Sequence, residues 1–491
     1  MPREALPEPV FRMDPSDMQQ LRRQMQTLPD AHRLSPITIE ACLVGADVLL
    51  QLPEVAARYN PSRILLVIDD VVMWRGTQSL KPLVLDLLSG LKIPIDVLTI
   101  PPGHDGMVHA SVENAELVRG RITPGTLVVS VGSGSITDTT KHGCFLHDQE
   151  ANTHTPWIAI QTANTVTAFT SNNAVLLKDG VKRTFHSRFP DVLVSDLRVL
   201  ACAPIELTRA GIGDMTAKWV CYGDWYLANR AGVAPTFSEA PLVLMEDLDR
   251  LVLPYAGPAA EGDLTGVEVL TKALLLSGMA MAIVDETTPL SGYEHVQSHV
   301  LDMTAEHYGR PMALHGLQVG VTALMSAAAW DLFLNEFDPD QLPDATIPSD
   351  DEAKQRIEAV FGKVDPSGLM AQECWNDCRQ KLHNWRAADE GRAQLRAAWD
   401  SEVRPRLREM VYTPEQIAEA LAASGCALTG DELSPAIPEE QIRFAFEHAH
   451  LIRKRFTLAD LLAFMGWTGP AFTDRVLARV ARAISHARQH P

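Results

Sequence analysis

Short β-branched runs alternate with stretches of helical period over the first 200 residues, and this alternation restricts the fold more than any other feature. The runs are Arg63–Ile68, Ile95–Ile100, Thr126–Val131, Trp157–Ile160 and Asp191–Val194. Near-continuous apolar strands separated by helices are typical of a parallel sheet that is covered on both faces. We therefore expect an α/β domain of the nucleotide type, with a parallel sheet, over residues 1–203.

The second half of the chain has a different pattern. Beyond about residue 204 the strand-like runs stop, and helical patterns occupy Ile212–Ala228, Gly266–Ile283, Leu317–Phe333, Ala387–Met410 and Glu440–Phe456. A stretch rich in Pro and Asp over residues 335–351 predicts a loop. The sequence thus predicts an all-α C-terminal domain over residues 204–491.

Composition and charge exclude several classes of partner. Lys and Arg number 43 against 62 Asp and Glu, which gives a formal net charge of −19. So acidic a surface repels nucleic-acid phosphates and anionic lipid. Apolar runs stay short of the roughly 18–20 residues of a membrane span, and seven scattered cysteines argue against a disulfide framework. We expect a cytoplasmic protein with a small-molecule substrate, no nucleic-acid partner and no membrane span.

A glycine-rich turn follows the third strand-like run. The segment TLVVSVGSGSITDTTK passes from a buried strand through Gly132, Ser133, Gly134 and Ser135 into a helix, whose first turn contains Asp138. Free N–H groups at a helix start favour a phosphate, and glycines allow close approach of a ligand. A plain tight turn between strand and helix explains the same glycines, so both interpretations stay open. Thr137 replaces the third glycine of the G-x-G-x-x-G fingerprint, which indicates a different dinucleotide fold.

Three segments of the helical half carry candidate metal ligands. Asp214 lies in GIGDMTAK, where we expect a helix to start; His295 and His299 are four apart in SGYEHVQSH; His315 precedes an apolar helix in LHGLQVG. A carboxylate with two imidazoles leaves open positions on a divalent ion, as catalytic sites require. Asp214 alone would serve equally as a helix N-cap, and paired histidines also arise by chance.

Together these motifs resemble the iron-containing alcohol dehydrogenase and dehydroquinate synthase superfamily, and within it the sn-glycerol-1-phosphate dehydrogenases. The stretches that carry the resemblance are VVSVGSGSITDTTK, TAFTSNNAVLLKDGVKRTF, GIGDMTAKWVCYGDW, SGYEHVQSH and LHGLQVGV. The resemblance runs from about Arg63 to Leu462 in the same order. It implies a homo-oligomer and a dehydroquinate synthase-like fold. In that fold a Rossmann-like dinucleotide-binding domain over residues 1–203 precedes an all-α domain over residues 204–491 that binds the metal and the substrate.

The resemblance also implies roles for individual residues. Asp214, His295 and His315 match the ligands of one Zn, Fe(II) or Ni(II) ion, and His299 matches a histidine that binds substrate or relays a proton. Residues matching the site for NAD or NADP are Gly132, Ser133, Gly134, Ser135, Asp138, Thr162 and Thr165. Asp69 matches an acidic position near the adenine ribose, where a carboxylate favours NAD over NADP.

The implied reaction is reversible hydride transfer between NAD(P)H and a small hydroxy-ketone or polyol phosphate, such as dihydroxyacetone phosphate and sn-glycerol 1-phosphate. Asn173, Lys182 and Arg183 lie in or beside a hairpin expected around the Asp-Gly of Ala174–Phe185, and they suit a substrate phosphate. Thr167 stands where the family usually has an aspartate beside the metal and substrate. Threonine carries no charge at pH 7, so this position departs from the family pattern.

Two further functions remain open from the sequence. One is a sugar-phosphate cyclase of the dehydroquinate synthase type, which uses NAD catalytically but needs a segment rich in Lys and Asp where this chain has residues 167–173. The other is a non-catalytic relative that binds a dinucleotide. Thr167 favours that interpretation, whereas the three retained metal ligands oppose it.

Overall fold

The computed structural model describes residues 6–103, 106–178, 181–342 and 347–489. It divides into two compact units, residues 1–212 with 239–286 and residues 213–238 with 287–491. Residues 239–286 group with the first unit because their helices pack on its strands and on its other helices. The domain boundary expected between residues 203 and 204 stays a prediction.

The first unit is built on a six-stranded parallel sheet, which confirms the predicted fold class. The strands of the chain are β1 (Ala41–Gly45), β2 (Arg63–Ile68), β3 (Trp74–Arg75), β4 (Gln78–Ser79), β5 (Ile95–Thr99), β6 (Thr126–Gly132), β7 (Trp157–Gln161), β8 (Asn173–Lys178), β9 (Val181–His186) and β10 (Val192–Asp196). The main sheet has the order β1-β10-β7-β6-β2-β5, and each neighbouring pair is parallel. Every residue of β6 and β7 is buried, as expected for central strands covered on both faces.

The order of the strands creates a crevice at one edge of this sheet. The chain passes from β2 to β5 on one side and then crosses to β6 on the other side of β2. Such a topological switch point lies at the carboxyl ends of the strands, where open α/β sheets bind ligands. Because Val67 of β2 pairs with Ser130 of β6, Asp69 and Gly132 follow at this same edge.

Helices form the rest of the chain. In the described residues they are α1 (Met18–Met25), α2 (Leu52–Ala57), α3 (Leu80–Ser89), α4 (Val112–Arg119), α5 (Gly134–Ala151), α6 (Leu197–Leu200), α7 (Ile205–Met215), α8 (Lys218–Arg230), α9 (Ala240–Leu244), α10 (Glu246–Ala260), α11 (Leu264–Val284), α12 (Tyr293–His307), α13 (His315–Glu336), α14 (Asp350–Phe361), α15 (Leu369–Ala387), α16 (Asp389–Ala398), α17 (Arg404–Met410), α18 (Pro414–Ala423), α19 (Glu439–His448), α20 (Leu458–Phe464) and α21 (Pro470–Gln489). The predicted all-helical character of the second half is confirmed.

Local differences from the expected elements have physical causes. Strand β1 was not predicted, because Val44 is the one β-branched residue of its short apolar run and such a run does not distinguish a strand from a helix. The prediction of a single helix over Ala387–Met410 is wrong. The segment forms α16, a π-helix over Trp399–Val403 and α17, and Pro405 lies in the first turn of α17. The hairpin of β8 and β9 is antiparallel as expected, and its Asp-Gly turn lies outside the described residues.

The acidic loop expected over residues 335–351 is partly structured. Helix α13 ends at Glu336, a short 3-10 turn covers Pro339–Gln341, and α14 begins at Asp350. Residues 343–346 of this stretch lie outside the described part of the chain.

Two helices, α11 and α13, are long and apolar enough to cross a membrane by length and composition. In each of them 89% of the most apolar window is buried inside the protein. Both are therefore core helices of their units in this structure.

A buried ionic cluster supports the C-terminal helices of the second unit. Lys381 on α15 pairs with Asp460 on α20 at 2.7 Å, and its ammonium also donates to the backbone carbonyl oxygen of His450 at 2.8 Å. Burial lowers the pKa of His450 well below its ordinary value, and the nearby cations Arg356 and Lys381 lower it further. His450 is therefore neutral in the folded protein.

This neutral histidine predicts a loss of stability in mild acid. Below the ordinary histidine pKa of about 6.5, the unfolded chain binds a proton that folded His450 does not, so the free energy of unfolding falls as the pH falls. Between pH 6.5 and 5 the loss amounts to about 2 kcal/mol for one such group. His450→Leu is expected to remove this part of the pH dependence in urea unfolding at pH 7.5 and pH 5.

The matched control is His383→Leu, which removes an exposed histidine on α15. It is expected to keep the pH dependence of the wild-type chain. Equal losses of stability on acidification in wild type and His450→Leu would contradict the assignment.

Candidate active site

The glycine turn joins β6 to α5 at the switch point of the sheet. A Cβ atom on Gly132 would lie 2.4 Å from the Cβ of Ile136, so packing alone excludes a side chain there. Ser133 is the N-cap residue of α5, and its carbonyl oxygen accepts a hydrogen bond from Thr137 N–H at 3.0 Å. Gly134 and Ser135 form the first turn of that helix. The N–H groups of this turn suit the pyrophosphate of a dinucleotide.

Asp138 is engaged inside the protein. Its Oδ1 lies 3.1 Å from the ammonium of Lys141, and its Oδ2 accepts a hydrogen bond from Val175 N–H at 3.2 Å. Lys141 is fully buried and also donates to the carbonyl oxygens of Ala168 and Asn173, at 2.7 and 2.8 Å. This pair therefore ties α5 to the start of the hairpin, a role that the sequence analysis missed.

The loop after β7 lies beside the glycine turn. Thr162 is buried, and its N–H donates to the Gly132 carbonyl oxygen at 3.2 Å. Thr165 is buried as well. Thr167 is the N-cap residue of a short 3-10 turn over Ala168–Thr170. The predicted roles of these threonines at the nicotinamide and pyrophosphate stay predictions.

Asp69 lies at the carboxyl end of β2 and has a cationic partner. The ammonium of Lys81 pairs with its carboxylate and also donates to its backbone carbonyl oxygen, at 2.8 Å. Val71 N–H donates to Asp69 Oδ1 at 3.1 Å. The predicted acidic position near the ribose thus carries a carboxylate whose charge is partly balanced by Lys81.

The three residues predicted to meet a substrate phosphate are in the hairpin. Asn173 opens β8, and Lys182 and Arg183 lie on β9 opposite Leu177 and Leu176. Lys182 and Arg183 are both partly exposed. Their role at a phosphate stays a prediction.

Asp214 lies in the last turn of α7, so the expectation that it starts a helix is wrong. The close approach of two helix ends explains its position: a Cβ atom on Gly213 would lie 2.2 Å from the carbonyl oxygen of Gly316, at the start of α13. The glycine thus brings the end of α7 against the residue that follows His315. Helical periodicity alone did not reveal this contact.

Asp214, His295 and His315 come together in the second unit. One ligand atom from each lies within 4.8 Å of the others. Asp214 Oδ1 is 3.4 Å from His295 Nε2, and the ring centroids of His295 and His315 are 5.2 Å apart. The side chains of Asp214 and His295 are 6% and 11% exposed, whereas that of His315 is 27% exposed. The cluster is thus buried on one side and accessible on the other.

These residues fit a divalent metal ion. Asp214 Oδ1 is buried, and among the described residues none donates a hydrogen bond to it with good geometry. A buried carboxylate oxygen of this kind is costly unless a cation or a donor satisfies it. One carboxylate and two imidazoles suit Zn, Fe(II) or Ni(II), as the sequence analysis predicts.

Other side chains fix the orientation of both histidines. His295 Nδ1 lies 2.9 Å from Glu294 Oε1, and His315 Nδ1 lies 3.2 Å from Ser298 Oγ, so each ring has a polar partner on Nδ1, as metal-binding histidines commonly do. Burial by itself would lower the pKa of His295, but the neighbouring carboxylates of Asp214 and Glu294 raise it to about 9, and a metal ion on Nε2 would displace that proton. The sequence analysis missed Glu294, although it directly precedes His295.

His299 lies one turn beyond His295 on α12, as its spacing predicts. Its ring centroid is 5.8 Å from that of His315 and 6.4 Å from that of His295. Its side chain is partly exposed. An imidazole beside the cluster suits binding of a substrate or transfer of a proton, and this role stays a prediction.

Comparison with known families agrees with this arrangement. The family described as "Iron-containing alcohol dehydrogenase" matches residues 43–204. Solved structures share the fold: a probable glycerol dehydrogenase from Sinorhizobium meliloti 1021 has a TM-score of 0.53 at 15% identity, covering 92% of this chain and 98% of its own. Glycerol dehydrogenase from Schizosaccharomyces pombe has a TM-score of 0.53 at 14% identity, covering 92% and 90%. The fold is that of the iron-containing alcohol dehydrogenase class.

Curated relatives identify a narrower family within this class. Glycerol-1-phosphate dehydrogenase [NAD(P)+] of Bacillus subtilis (strain 168) is 30% identical over 313 residues, 62% of this chain and 76% of the relative. The enzyme of the same name from Pyrococcus furiosus is 30% identical over 288 residues, which are 58% of this chain and 77% of the relative. The enzyme of Halalkalibacterium halodurans is 27% identical over 398 residues, which are 75% of this chain and 95% of the relative. The chain belongs to the glycerol-1-phosphate dehydrogenase family, as its motifs predict.

The contact at Gly213 generates a test of the metal centre. In Gly213→Ala the new methyl group collides with the Gly316 carbonyl oxygen, which separates the ends of α7 and α13 that carry Asp214 and His315. We expect a loss of about 1–3 kcal/mol in the free energy of unfolding, as for other overpacked sites, together with weaker metal binding. Chemical denaturation and competition with a chromogenic chelator measure the two effects.

Gly320→Ala is the control on the facing helix, α13. Its new Cβ would lie 3.1 Å from the end of the flexible Leu421 side chain, which can move aside, and 3.4 Å from Gly213 Cα, an ordinary van der Waals contact. Metal affinity is therefore expected to stay that of the wild type. Wild-type metal affinity in Gly213→Ala would contradict the role given to this contact.

Proposed function

We propose that this chain is an NAD(P)-dependent dehydrogenase that reduces dihydroxyacetone phosphate to sn-glycerol 1-phosphate and catalyses the reverse oxidation. The observation that carries the proposal is the cluster of Asp214, His295 and His315, with its buried and unsatisfied carboxylate oxygen. The names of the curated relatives support the substrate and the cofactor. In this reaction a hydride passes from the reduced nicotinamide to carbonyl carbon C2, and a proton is added to the carbonyl oxygen.

Each unit supplies one part of this chemistry. In the first unit, the turn from Gly132 to Ser135 and the start of α5 bind the pyrophosphate, since their N–H groups and helix dipole favour an anion. In the second unit, Asp214, His295 and His315 hold the metal. A divalent ion bound there acts as a Lewis acid and lowers the cost of negative charge on a substrate oxygen. His299, partly exposed beside the cluster, supplies the proton.

Thr167 modifies the family pattern without removing the metal ligands. Its hydroxyl donates or accepts a hydrogen bond to a substrate hydroxyl but cannot take up a proton at pH 7. Under the proposal, proton transfer therefore needs another group, and His299 is the candidate side chain beside the cluster. Asn173, Lys182 and Arg183 are proposed to bind the substrate phosphate, because amides and cations suit that group. We also propose that the protein is cytoplasmic and forms a homo-oligomer, as the family resemblance implies.

The experiment that tests the proposal is NADH oxidation with dihydroxyacetone phosphate by purified protein reconstituted with Zn, Fe(II) or Ni(II). We expect turnover that depends on the metal and that is reduced at least about a thousandfold in His295→Ala, because catalysis by the ion is lost with its ligand. NADH absorbance gives the rate, and chromatographic detection of glycerol 1-phosphate gives the product.

The other outcomes identify the alternatives. Release of inorganic phosphate without net NADH consumption would indicate the cyclase chemistry. Tight NADH binding with no turnover under any of the three metals would contradict the proposed activity and favour a non-catalytic dinucleotide-binding protein.

The ion pair of Asp69 and Lys81 generates a prediction about the cofactor. Removing the cation in Lys81→Met leaves the Asp69 carboxylate unbalanced, so repulsion of a 2′-phosphate grows and the ratio of kcat/KM for NADPH over NADH falls about threefold to tenfold. Asp69→Asn, the matched variant, removes the opposite charge and is expected to raise the same ratio. Equal ratios in both variants would exclude Asp69 from the ribose site.

A further inference from the structure

Glu294 makes a direct contact with a proposed metal ligand. Its side chain is fully buried at the start of α12. Its Oε1 accepts a hydrogen bond from Gly292 N–H at 2.6 Å and lies 2.9 Å from His295 Nδ1. The same oxygen thus fixes the backbone before the helix and the ring of the next residue.

This contact determines which nitrogen of His295 faces the cluster. When Nδ1–H donates to a carboxylate, the lone pair of the neutral ring is on Nε2. That atom is the one 3.4 Å from Asp214 Oδ1. Carboxylate partners of this kind orient metal-binding histidines and increase their basicity.

We propose that Glu294 is a positioning residue for the metal site: it holds His295 with Nε2 directed at the ion, and without it the ion binds more weakly. This inference rests on the proposed function, since that function requires a metal at Asp214, His295 and His315. It adds a residue outside the ligand set.

Residues of α8 and of the C-terminal region hold the start of α12, where Glu294 lies. Buried Asp224 accepts hydrogen bonds from Tyr293 N–H at 2.7 Å and from Leu458 N–H at 2.8 Å, so it joins the starts of α12 and α20. The guanidinium of Arg455 donates to Ser291 Oγ at 2.6 Å and to Thr287 Oγ1. Asp224 and Arg455 therefore fix the backbone that directly precedes Glu294, as a positioning role requires.

Two variants of equal side-chain length test the role. Glu294→Gln keeps an oxygen that accepts from His295 Nδ1–H, whereas Glu294→Met has none. We expect Glu294→Met to bind Co(II) or Zn about 10–100-fold more weakly than wild type, the usual cost of losing such a partner. Glu294→Gln is expected to bind at least about tenfold more tightly than Glu294→Met. Chelator competition gives the Kd, and the Co(II) absorption spectrum reports the geometry of the ligands.

Asp460→Asn is the control for loss of a buried carboxylate. Asp460 pairs with Lys381 and caps α20 without contact to the proposed ligands. We expect it to lower the melting temperature and to leave the metal Kd within about threefold of wild type. If Glu294→Met does not fold, Glu294→Asp replaces it: its shorter side chain withdraws the oxygen from Nδ1, and we expect the Kd to rise at least about threefold.

The outcomes separate this inference from the proposed function. A wild-type chain that binds none of the metals would overturn both. Metal binding by wild type with equal Kd values in Glu294→Gln and Glu294→Met would overturn the positioning role alone. If Glu294→Asp is used in place of Glu294→Met, a metal Kd equal to that of wild type would also overturn the positioning role.

Discussion

Parallel pairing of the six strands is the constraint on which the first unit depends. Parallel strands require a crossover after each strand, and helices in those crossovers bury both faces of the sheet. All carboxyl ends then lie at one edge. Because the chain reverses its direction of travel at β2, that edge opens between β2 and β6. The glycine turn after β6 and Asp69 after β2 therefore lie where open α/β sheets bind nucleotides.

The second unit depends on contacts between helix ends. Gly213 allows the end of α7 to touch the start of α13, which brings Asp214 toward His315. Asp224 satisfies N–H groups at the starts of α12 and α20, which otherwise have no partner within their helices. Metal ligands on three helices can meet only if the ends of those helices are fixed in this way. The cluster is thus a product of backbone contacts as much as of its ligands.

Sequence patterns predicted the elements that have strong periodicity. The β-branched runs gave five strands of the sheet, and the i, i+4 spacing of His295 and His299 placed both on one face of α12. Edge strand β1 was missed because a single β-branched residue, Val44, gives its short apolar run little strand signal. Asp214 was expected at a helix start because glycines precede it, but those glycines serve packing at a helix end. Lys81 and Lys141 were missed because they have partners that lie far from them in the sequence. Glu294 was missed because no sequence pattern marks the neighbour of a metal ligand as its hydrogen-bond partner.

The long C-terminal region takes part in the architecture of the metal centre. Leu458 N–H shares Asp224 with the first residue of α12, and Arg455 binds the turn that precedes it. Lys381 and Asp460 separately join α15 to α20 through a buried ion pair. A buried charge whose partner is removed costs several kcal/mol, so these pairs resist separation. Residues more than 150 positions beyond His295 therefore help to hold the helix that carries it.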